Sequence, residues 1–510
     1  MSVDNTHKPV LGIDLGTTYS CIARWDGRGP SVYQLAGGSQ TLRSVVYYDK
    51  SHNDFLVGEI ANKRGILDPD SAVFSVKRKM DNRNEKIVLD GKTFSPIDIS
   101  QKILEKLLSD VTNKFPKGVF QEQGCVVTVP YYFKAHQCKN TEDAAVQANM
   151  NVLGILQEPI AAAMAYVIYL ENEKLLTDRS EKFLVFDLGG GTFDVTVFEV
   201  NITENKILFE VLGTGGDDRL GGLDFDLAIM DYIIESENLK DDFIIPDKLK
   251  GDKRSKKEKE VKTAQQKLQE ACKAAKEELG FVATAFIAIP QVFPGKDIDT
   301  ELTLEKLNEL LKPWLDKIDD IIESTLDTSR VPAQDIDKVI KVGGSSKLKL
   351  MSELLENKIG ADKVYGDVDP SLCVAQGAAI YAALQDGRFE IEKEIEVLAR
   401  TSHALGVEVA DGDFHVIIPG NKKAPCEGYE IFGTDSDFVT ELDIDVYQGS
   451  SDKVKDNSKV GTVHVSGLLA RPAGDLDIKI TFKVSDQQLI SVIVEQQESN
   501  IYTVEKMQTA

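Results

Sequence analysis

Two short segments of the chain combine acidic, glycine and hydroxyl residues at the same spacing. The first begins at Asp14 and reads DLGTT, and the second begins at Asp187, reads DLGGGTFD and ends at Asp194. Glycine in a turn lets backbone N–H groups point into one concavity and lets a bulky anion approach closely. Aspartates at the turn supply oxygen ligands for a divalent cation or its waters. The pattern indicates phosphate and Mg²⁺ binding, although a tight hairpin with surface acids explains the glycine triplet alone equally well.

Each segment is predicted to be a turn between two strands. The run FLVFDL before the triplet is typical of a buried strand, and TFDVTVFEV after it alternates like a strand with two unlike faces. The stretch VLGIDLGTTYSCIARW, around Asp14, has the same order of an apolar run, a turn and an alternating run. A strand after the glycines excludes a P-loop and a dinucleotide-binding fingerprint, because both require a helix there.

The recurrence of this hairpin predicts two related lobes that face each other across a cleft. Each lobe would offer one acid and one hydroxyl-rich phosphate loop, so the pair would clamp a nucleoside triphosphate with its Mg²⁺. A third glycine element, VIKVGGSSKLKLM, contains Gly343 and Gly344 and is predicted to follow a strand and open a helix. A helix N-terminus favours a phosphate or a polar nucleoside edge.

Composition limits the other classes of function. A chain of 510 residues is too long for one compact core, so several domains are expected. The net charge of −24 disfavours nucleic acid and anionic membranes as partners, since both attract basic patches. No apolar run reaches the roughly 18 residues of a membrane helix, and no signal segment is visible at the start. Six scattered cysteines without a C-x-x-C pair fit a reducing cytoplasm.

Several motifs occur in the order found in the 70-kDa heat-shock chaperone family, which the chain resembles over nearly its whole length. They are DLGTTYS, TVPYYF, ILQEPIAAAMAY, VFDLGGGTFDVTV, LGGLDFD and VGGSSK. The resemblance implies an α/β, two-lobed ATPase domain of the actin and hexokinase-like kind over residues 1–386. It also implies an interdomain linker over 387–400 and an all-β sandwich that binds peptide over 401–510.

The C-terminal part of the chain distinguishes a chaperone from a sugar kinase. Segments such as ELDIDVYQG, VGTVHVSGLL and DLDIKITFKV are short strands bounded by turn signals, as in a small β-sandwich or barrel. They are similar to the peptide-binding domain of the family, which sugar kinases and actin-like filaments lack. Family members usually carry a helical lid after the sandwich; only EKMQTA follows it here, so no lid is expected within the given sequence, whether the protein naturally has none or is longer.

The resemblance assigns roles to residues at matching positions. Lys77 would stabilise charge on the transferred phosphoryl group. Glu158 would position water and sense the γ-phosphate through Pro130, and Thr192 would orient or deprotonate the attacking water, with Asp194 close by. The implied Mg²⁺ site, with K⁺ as a candidate second ion, contains Asp14 and Asp187. The implied contacts to ATP or ADP are Gly16, Thr17, Thr18, Tyr19, Gly189, Gly190, Gly191, Gly221, Gly222, Lys276, Gly343, Gly344, Ser345 and Lys347. The implied peptide cleft contains Phe414, Leu442 and Ile444.

Several of these residues have a simpler explanation when each is taken alone. Lys77 by itself is a solvated lysine, and Glu158 is a carboxylate that interacts with a helix N-terminus. Lys276 lies in a segment that predicts an amphipathic helix with a charged, solvated face. Val446, two residues beyond the cleft position Ile444, is more simply explained as sandwich core.

The nucleoside side of the site departs from the family. Lys273 stands where the family has glutamate, Gly280 where serine is common, and Glu277 where some members have arginine. Lys347 and Ser371 replace the usual arginine and aspartate. Because a lysine cannot stack on adenine as a planar guanidinium does, we expect nucleotide binding to persist with weaker or altered base recognition.

The residues that couple the two domains in the family also differ. Cys138 and Gly154 stand where the family has arginines that pair with the switch proline and meet J-domain partners. The linker reads IEVLA in place of leucines ending in aspartate, so Glu396 would bury a charge, with Arg400 or Lys393 as its candidate partner. Stimulation of hydrolysis by peptide is therefore expected to stay below about twofold.

Together these features predict a slow, ATP-dependent cytoplasmic chaperone that binds extended apolar segments of unfolded proteins under stress. J-domain co-chaperones and nucleotide exchange factors are its expected partners. The alternative is an ATP-binding regulatory or scaffold member of the family with little turnover. The enzyme is favoured by the intact set Asp14, Lys77, Glu158, Asp187 and Thr192. The altered coupling residues favour the alternative, and the sandwich opposes a third interpretation as a metabolite kinase.

Overall fold

The computed structural model describes residues 9–25, 29–82, 85–117, 123–172, 179–365, 369–387, 393–485, 490–496 and 499–505. Within these ranges the chain forms two α/β lobes, each around a six-stranded sheet, followed by two four-stranded sheets. None of the described helices has an apolar stretch long enough to cross a membrane.

The first lobe begins with the first of the two predicted hairpins. Its elements are β1 (Val10–Asp14), β2 (Tyr19–Trp25), β3 (Pro30–Val32), β4 (Thr41–Arg43), β5 (Val45–Asp49), β6 (Asp54–Val57), α1 (Glu59–Leu67), β7 (Ala72–Phe74), β8 (Ile87–Leu89), β9 (Lys92–Phe94), α2 (Pro96–Thr112), β10 (Gly124–Val129), α3 (Ala135–Gln147), β11 (Val152–Gln157) and α4 (Glu158–Asn172). The main sheet has the order β11-β10-β1-β2-β3, with β4 also paired to β2. Helix α2 begins with a capping box, because Ser95 Oγ accepts from the backbone N–H of Asp98 while the Asp98 carboxylate accepts from that of Ser95.

The second lobe begins with the glycine-triplet hairpin. Its elements are β12 (Arg179–Leu188), β13 (Phe193–Ile202), β14 (Lys206–Asp217), α5 (Gly222–Ser236), α6 (Lys240–Phe243), α7 (Asp252–Glu278), β15 (Thr284–Phe293), β16 (Lys296–Thr303), α8 (Leu304–Ser329), β17 (Lys338–Val342), α9 (Lys349–Ile359), β18 (Val364–Tyr365) and α10 (Cys373–Gln385). In its sheet β17 is parallel to β12 and β12 antiparallel to β13, just as β10 is parallel to β1 and β1 antiparallel to β2. The repeat predicted from the two DLG segments is therefore confirmed at the level of sheet topology.

Helices α4 and α10 join the two lobes. They share one hydrophobic core with strands of both sheets, and every residue of α4 from Ile160 to Val167 is at most 5% exposed. The alanine-rich sequence of both helices allows this close packing, because small side chains let helix backbones approach. This shared core places the two hairpin turns on opposite sides of one cleft.

The C-terminal part contains the predicted β-sandwich. Its strands, after the linker strand β19 (Glu394–Leu398), are β20 (Ala404–Val409), β21 (Asp413–Ile418), β22 (Cys426–Phe432), β23 (Glu441–Gly449), β24 (Ser458–Ser466), β25 (Ile478–Val484), β26 (Ile490–Gln496) and β27 (Ser499–Glu505). They form two antiparallel sheets, β21-β20-β23-β24 and β22-β25-β26-β27. Val446 and Phe482 are fully buried between them, so the assignment of Val446 to the sandwich core is confirmed.

The linker segment is an edge strand of the second lobe. Strand β19 pairs in parallel with β14, and Ile395 and Val397 pack against the core that α4 and α10 share. The expectation that Glu396 buries its charge is wrong. Its side chain is 41% exposed and forms an ion pair with Lys206 on the neighbouring strand. An edge strand alternates its side chains between two faces, so the charge points away from the core.

The last linker residue, Arg400, and the sandwich are hydrogen-bonded to the lobes. The Tyr131 hydroxyl donates to the Arg400 carbonyl at 2.7 Å, and Arg400 Nε donates to the Val211 carbonyl at 2.5 Å. The backbone N–H of Ala135 donates to Gln448 Oε1 at 3.1 Å. Arg400 is thus engaged with backbone carbonyls and is not the partner of the linker carboxylate. These contacts describe a docked arrangement of the domains.

We expect this docking to weaken at acidic pH through His403. The ring lies 5.0 Å from the Tyr132 ring, and burial together with Lys134 lowers the pKa of His403 to about 4. In the undocked state the histidine has an ordinary pKa near 6.5, so it becomes protonated at a higher pH than in the docked state. The docked state is therefore fully favoured above about pH 6.5 and loses stability as pH falls toward 4. Limited proteolysis should therefore cleave the linker faster near pH 4 than above pH 6.5.

The variant His403→Phe should remove much of this pH dependence, since it keeps the aromatic contact without a titratable group. His464→Phe, at a site where the histidine is 58% exposed, is the matched control and should behave like the wild type. A cleavage profile that is identical in the wild type and in His403→Phe would show that another group controls docking.

Candidate active site

The two predicted hairpins meet across the cleft. A Cβ atom added at Gly190 would collide with the Thr18 hydroxyl, and one added at Gly191 would lie 2.8 Å from Thr17 Oγ1. Glycine is therefore required at this pair of positions by the approach of the opposite loop. Residues of both turns line one cleft of about 690 Å³.

Lys77 and Glu158 form a buried ion pair at the base of the cleft. Lys77 Nζ donates to Glu158 Oε1 at 2.5 Å, and the two side chains are 7% and 8% exposed. Burial opposes the ammonium charge, but Glu158 and Asp14 hold the pKa of Lys77 above its ordinary value. The lysine is therefore charged inside the cleft, and its interpretation as a solvated surface residue does not hold.

Three aspartates surround this pair with excess negative charge. Desolvation and the nearby Glu158 raise the pKa of Asp14 to about 7 and that of Asp194 to about 8. The pKa of Asp187 is raised well above its ordinary value by burial, Glu158 and Asp194. Since one lysine cannot compensate four carboxylates, the site favours a further positive charge.

The donor set fits Mg²⁺ held through water and phosphate. No group of three His, Cys, Asp or Glu side chains in the described ranges is arranged as a direct metal cage. Mg²⁺ characteristically keeps several waters and takes one or two carboxylates together with substrate phosphates. Asp14 and Asp187, both on the cleft wall, are the carboxylates placed for that role.

Asp194 is connected to the domain interface. Its Oδ1 accepts the backbone N–H of Tyr132 at 3.1 Å, and the preceding residue, Tyr131, holds the Arg400 carbonyl. Both tyrosines come from the TVPYYF motif. A short segment therefore contacts a cleft carboxylate through Tyr132 and the last linker residue, Arg400, through Tyr131.

The third glycine element closes the cleft from the second lobe. Gly343 has φ of 80° and a Cβ atom there would collide with the Leu188 carbonyl, so glycine is needed for both reasons. Ser345 Oγ donates to the Gly189 carbonyl at 2.9 Å. The expected helix does not begin directly: a short 3₁₀ turn, Gly344–Lys347, precedes α9.

Three lysines at the positions predicted to face the nucleoside have protein partners. Lys276 Nζ lies 2.6 Å from Asp226 Oδ1 and donates to the Gly222 carbonyl. It is 5% exposed, so it does not belong to a solvated helix face. Lys273 Nζ donates to the Tyr19 hydroxyl at 3.2 Å, and Lys347 Nζ pairs with a carboxylate, that of Asp369, at the same distance.

Most of the predicted site residues lie on the wall of this one cleft. They are Asp14, Gly16, Thr17, Thr18, Tyr19, Lys77, Glu158, Asp187, Gly189, Gly190, Thr192, Gly222, Lys276, Gly343, Gly344, Ser345 and Lys347. Gly191, Gly221 and Asp194 lie just behind the wall. Gly221 contacts the glycine triplet, where its added Cβ would meet Gly191 N at 2.6 Å.

Sequence reasoning missed a contact that Arg78 makes between the lobes beside the cleft. Arg78, next to Lys77 in the chain, donates through Nη2 to the Gly191 carbonyl at 2.9 Å and to Asp224 Oδ2 at 2.5 Å. Asp224 also accepts the backbone N–H of Gly221 at the start of α5. Two features of the sequence could have indicated this contact. One is the second basic residue directly after Lys77, and the other is the acid within LGGLDFD.

The predicted peptide-cleft residues are placed differently from one another. Phe414 and Leu442 are partly exposed on the sheet β21-β20-β23-β24, whereas Ile444 is 6% exposed in the sandwich core. Phe414 and Leu442 are thus the two that present apolar surface in this arrangement.

The class of protein is defined by two similar lobes around a cleft lined by acids and glycines, followed by a docked linker strand and an all-β sandwich. A family model described as Hsp70 protein matches residues 10–510. The chain belongs to the Hsp70 family, which confirms the resemblance found in the sequence. Members of this family are ATPases and ATP-dependent chaperones.

Proposed function

We propose that this protein is a slow ATPase of the actin and hexokinase-like fold that uses ATP to control the binding of extended apolar peptide by its sandwich. Residues 1–386 would bind nucleotide, 387–400 would link the domains, and 401–510 would bind peptide. Unfolded cytoplasmic polypeptides would be the clients. The single observation that carries the proposal is the convergence of the Lys77–Glu158 pair and three aspartates where two glycine hairpins meet.

Different residues of the cleft would have different roles in phosphoryl transfer to water. The opposed turns at Thr18 and Gly190 would hold the phosphates, and Mg²⁺, organised by Asp14 and Asp187, would neutralise phosphate charge when bound. The Lys77 ammonium would stabilise charge on the transferred phosphoryl group. Glu158 orients that ammonium by accepting its hydrogen bond, and the Thr192 hydroxyl would orient the attacking water.

The experiment that tests this function is steady-state ATP hydrolysis with and without an extended apolar peptide. We expect slow Mg²⁺-dependent release of phosphate and binding of the peptide to the nucleotide-free or ADP-bound protein. Release of no phosphate above the uncatalysed background, together with retained ATP binding, would instead support the second candidate, a regulatory or scaffold member of the family.

The second candidate is favoured by two residues that stand at the coupling positions of the family. Cys138 has a pKa raised to about 12 by burial, and Gly154 has no side chain, so neither supplies the charge found in relatives. The unusual linker does not add to this case, because Glu396 is paired and exposed. Weak stimulation by peptide, below about twofold, remains our prediction. The alternative is that Arg400 and Tyr131 provide a replacement set of coupling contacts.

Removal of the Arg78 side chain is expected to speed nucleotide release. Its guanidinium bonds to Gly191 and Asp224 of the opposite lobe, and it is 24% exposed, so it holds the cleft closed through charge-assisted bonds. Arg78→Ala should raise the dissociation rate of a fluorescent ATP analogue by about tenfold, measured by stopped flow. Arg78→Lys should restore only part of the slow wild-type dissociation, because a lysine lacks the forked set of N–H donors of a guanidinium.

The matched control for this test is Arg219→Ala, which removes an exposed arginine near the start of α5. Its release rate should match the wild type. If Arg78→Ala also releases nucleotide within about twofold of the wild type, the contact does not hold the lobes together.

A further inference from the structure

The outer end of the cleft carries an exposed aromatic ring. Phe281 lies on the cleft wall and is 94% exposed. A single exposed apolar side chain needs no explanation on a convex surface. In a concave site that already holds phosphate-type turns, an open aromatic face is suited to stack on a planar heterocycle.

The backbone beside this ring leaves space for a flat ligand. A Cβ atom added at Gly280 would approach only the Glu277 carbonyl oxygen, at 3.1 Å. Gly280 itself therefore places no side chain in this part of the cleft wall. Helix α7 ends at Glu278, and the spacing of Lys273, Lys276 and Glu277 brings them to one helix face, which lines the cleft together with Gly280 beyond the helix end.

The charges at this end of the cleft favour a nucleobase whose edge carries hydrogen-bond donors. Lys276 is committed to Asp226, and Lys273 lies 4.6 Å above the Tyr19 ring. The Glu277 carboxylate is 57% exposed and 3.8 Å from the Lys273 ammonium, too long for a hydrogen bond. An ionised carboxylate only accepts hydrogen bonds, so it fits a base that presents N–H groups.

Guanine presents two adjacent donors, N1–H and the 2-amino group, which match the two oxygens of a carboxylate. Adenine presents one amino group beside a ring nitrogen that is itself an acceptor. Bidentate pairing to a charged partner is both stronger and more specific than a single bond. A site with a carboxylate at this position therefore discriminates less in favour of adenine.

On this basis, and resting on the proposed function, we propose that Phe281 stacks on the nucleobase and that Glu277 accepts hydrogen bonds from its donor edge. The site then takes guanosine triphosphate at least as tightly as ATP. The phosphate end is shared by both nucleotides, so the choice of base is made at the C-terminal end of α7.

Calorimetric titration of the full chain in Mg²⁺ buffer tests the inference with four ligands: ATP, GTP, ITP and tripolyphosphate. We expect GTP to bind at least as tightly as ATP, and ITP about fivefold more weakly than GTP because it lacks the 2-amino group. Phe281→Ala should weaken both ATP and GTP about tenfold, the loss of one base–aromatic stack, and leave tripolyphosphate unchanged. Glu277→Gln should abolish the difference between GTP and ITP.

Two further variants serve as controls. Phe281→Tyr should retain the wild-type affinities, and Phe286→Ala, which removes a 66% exposed ring from β15 outside the cleft, should change none of them. ATP binding tenfold tighter than GTP, or no effect of Phe281→Ala on either nucleotide, would overturn this inference and leave the proposed function intact. Failure of every ligand to bind, tripolyphosphate included, would overturn the proposed function itself.

Discussion

Replacing Lys77 by alanine is expected to lower the rate of ATP hydrolysis by about 1,000-fold while ATP affinity stays within about threefold of the wild type. The reason is that the ammonium stabilises charge that develops only as the phosphoryl group is transferred. Single-turnover measurement of phosphate release, combined with equilibrium titration of ATP, separates the two effects. A loss of affinity as large as the loss of rate would make Lys77 a binding residue instead.

The structure adds a consequence for stability. Lys77→Ala leaves Glu158 buried without its partner, a change that costs about 3–5 kcal/mol in comparable ion pairs. The double variant Lys77→Ala/Glu158→Gln should regain most of that stability without regaining hydrolysis. Lys79→Ala is the matched control, since Lys79 lies in the same short turn, is 41% exposed and pairs with Glu85. It should keep both the rate and the melting temperature of the wild type.

Replacing Asp187 by asparagine is expected to lower turnover by at least tenfold and to raise the Mg²⁺ concentration needed for half-maximal rate. Asparagine keeps the shape of the side chain but removes a negative charge that organises the cation and its waters. Hydrolysis assays over a series of Mg²⁺ concentrations give both quantities. A rate and a Mg²⁺ dependence within twofold of the wild type would remove Asp187 from the catalytic group.

The same substitution should not destabilise the nucleotide-free protein. Asp187 is 5% exposed, and burial together with repulsion by Glu158, Asp194 and Asp14 raises its pKa. Removing its charge relieves that repulsion, so the melting temperature should stay level or rise. Asp231→Asn, an exposed position on α5, is the control for a general effect of lost charge. A marked fall in stability for Asp187→Asn would mean that the carboxylate has a structural partner.

Local patterns were sufficient for the elements that carry the site. The run FLVFDL and the alternating TFDVTVFEV predicted a hairpin, and β12 and β13 pair with Asp187 opposite Asp194. The recurrence around Asp14 predicted a second hairpin and related lobes, and the two sheets share their strand order. Period-two alternation and turn glycines depend on residues that are close together in the chain, so they can be read from the sequence alone.

The domain contacts show what local patterns miss. Glu396 was expected to bury a charge, but the linker joins β14 as an edge strand and turns that side chain toward Lys206. Leu442 and Ile444 lie two residues apart on one face of β23, and Ile444 is buried in the sandwich core while Leu442, nearer the end of the strand, is only partly buried. The face on which the linker side chain lies depends on strand register, and a shift of one residue reverses it.

The sequence by itself determined the two phosphate hairpins, their acids and hydroxyls, the sandwich strands and the family. Only the tertiary structure decided which distant groups meet. Lys77 and Glu158 are 81 residues apart and become partners because a short turn in the first lobe packs against the start of α4. Arg78 reaches Asp224 of the other lobe, and Gly190 faces Thr18, only once α4 and α10 have brought the two sheets together. Such contacts follow from the packing of many side chains in a shared core, and no single stretch of sequence contains that information.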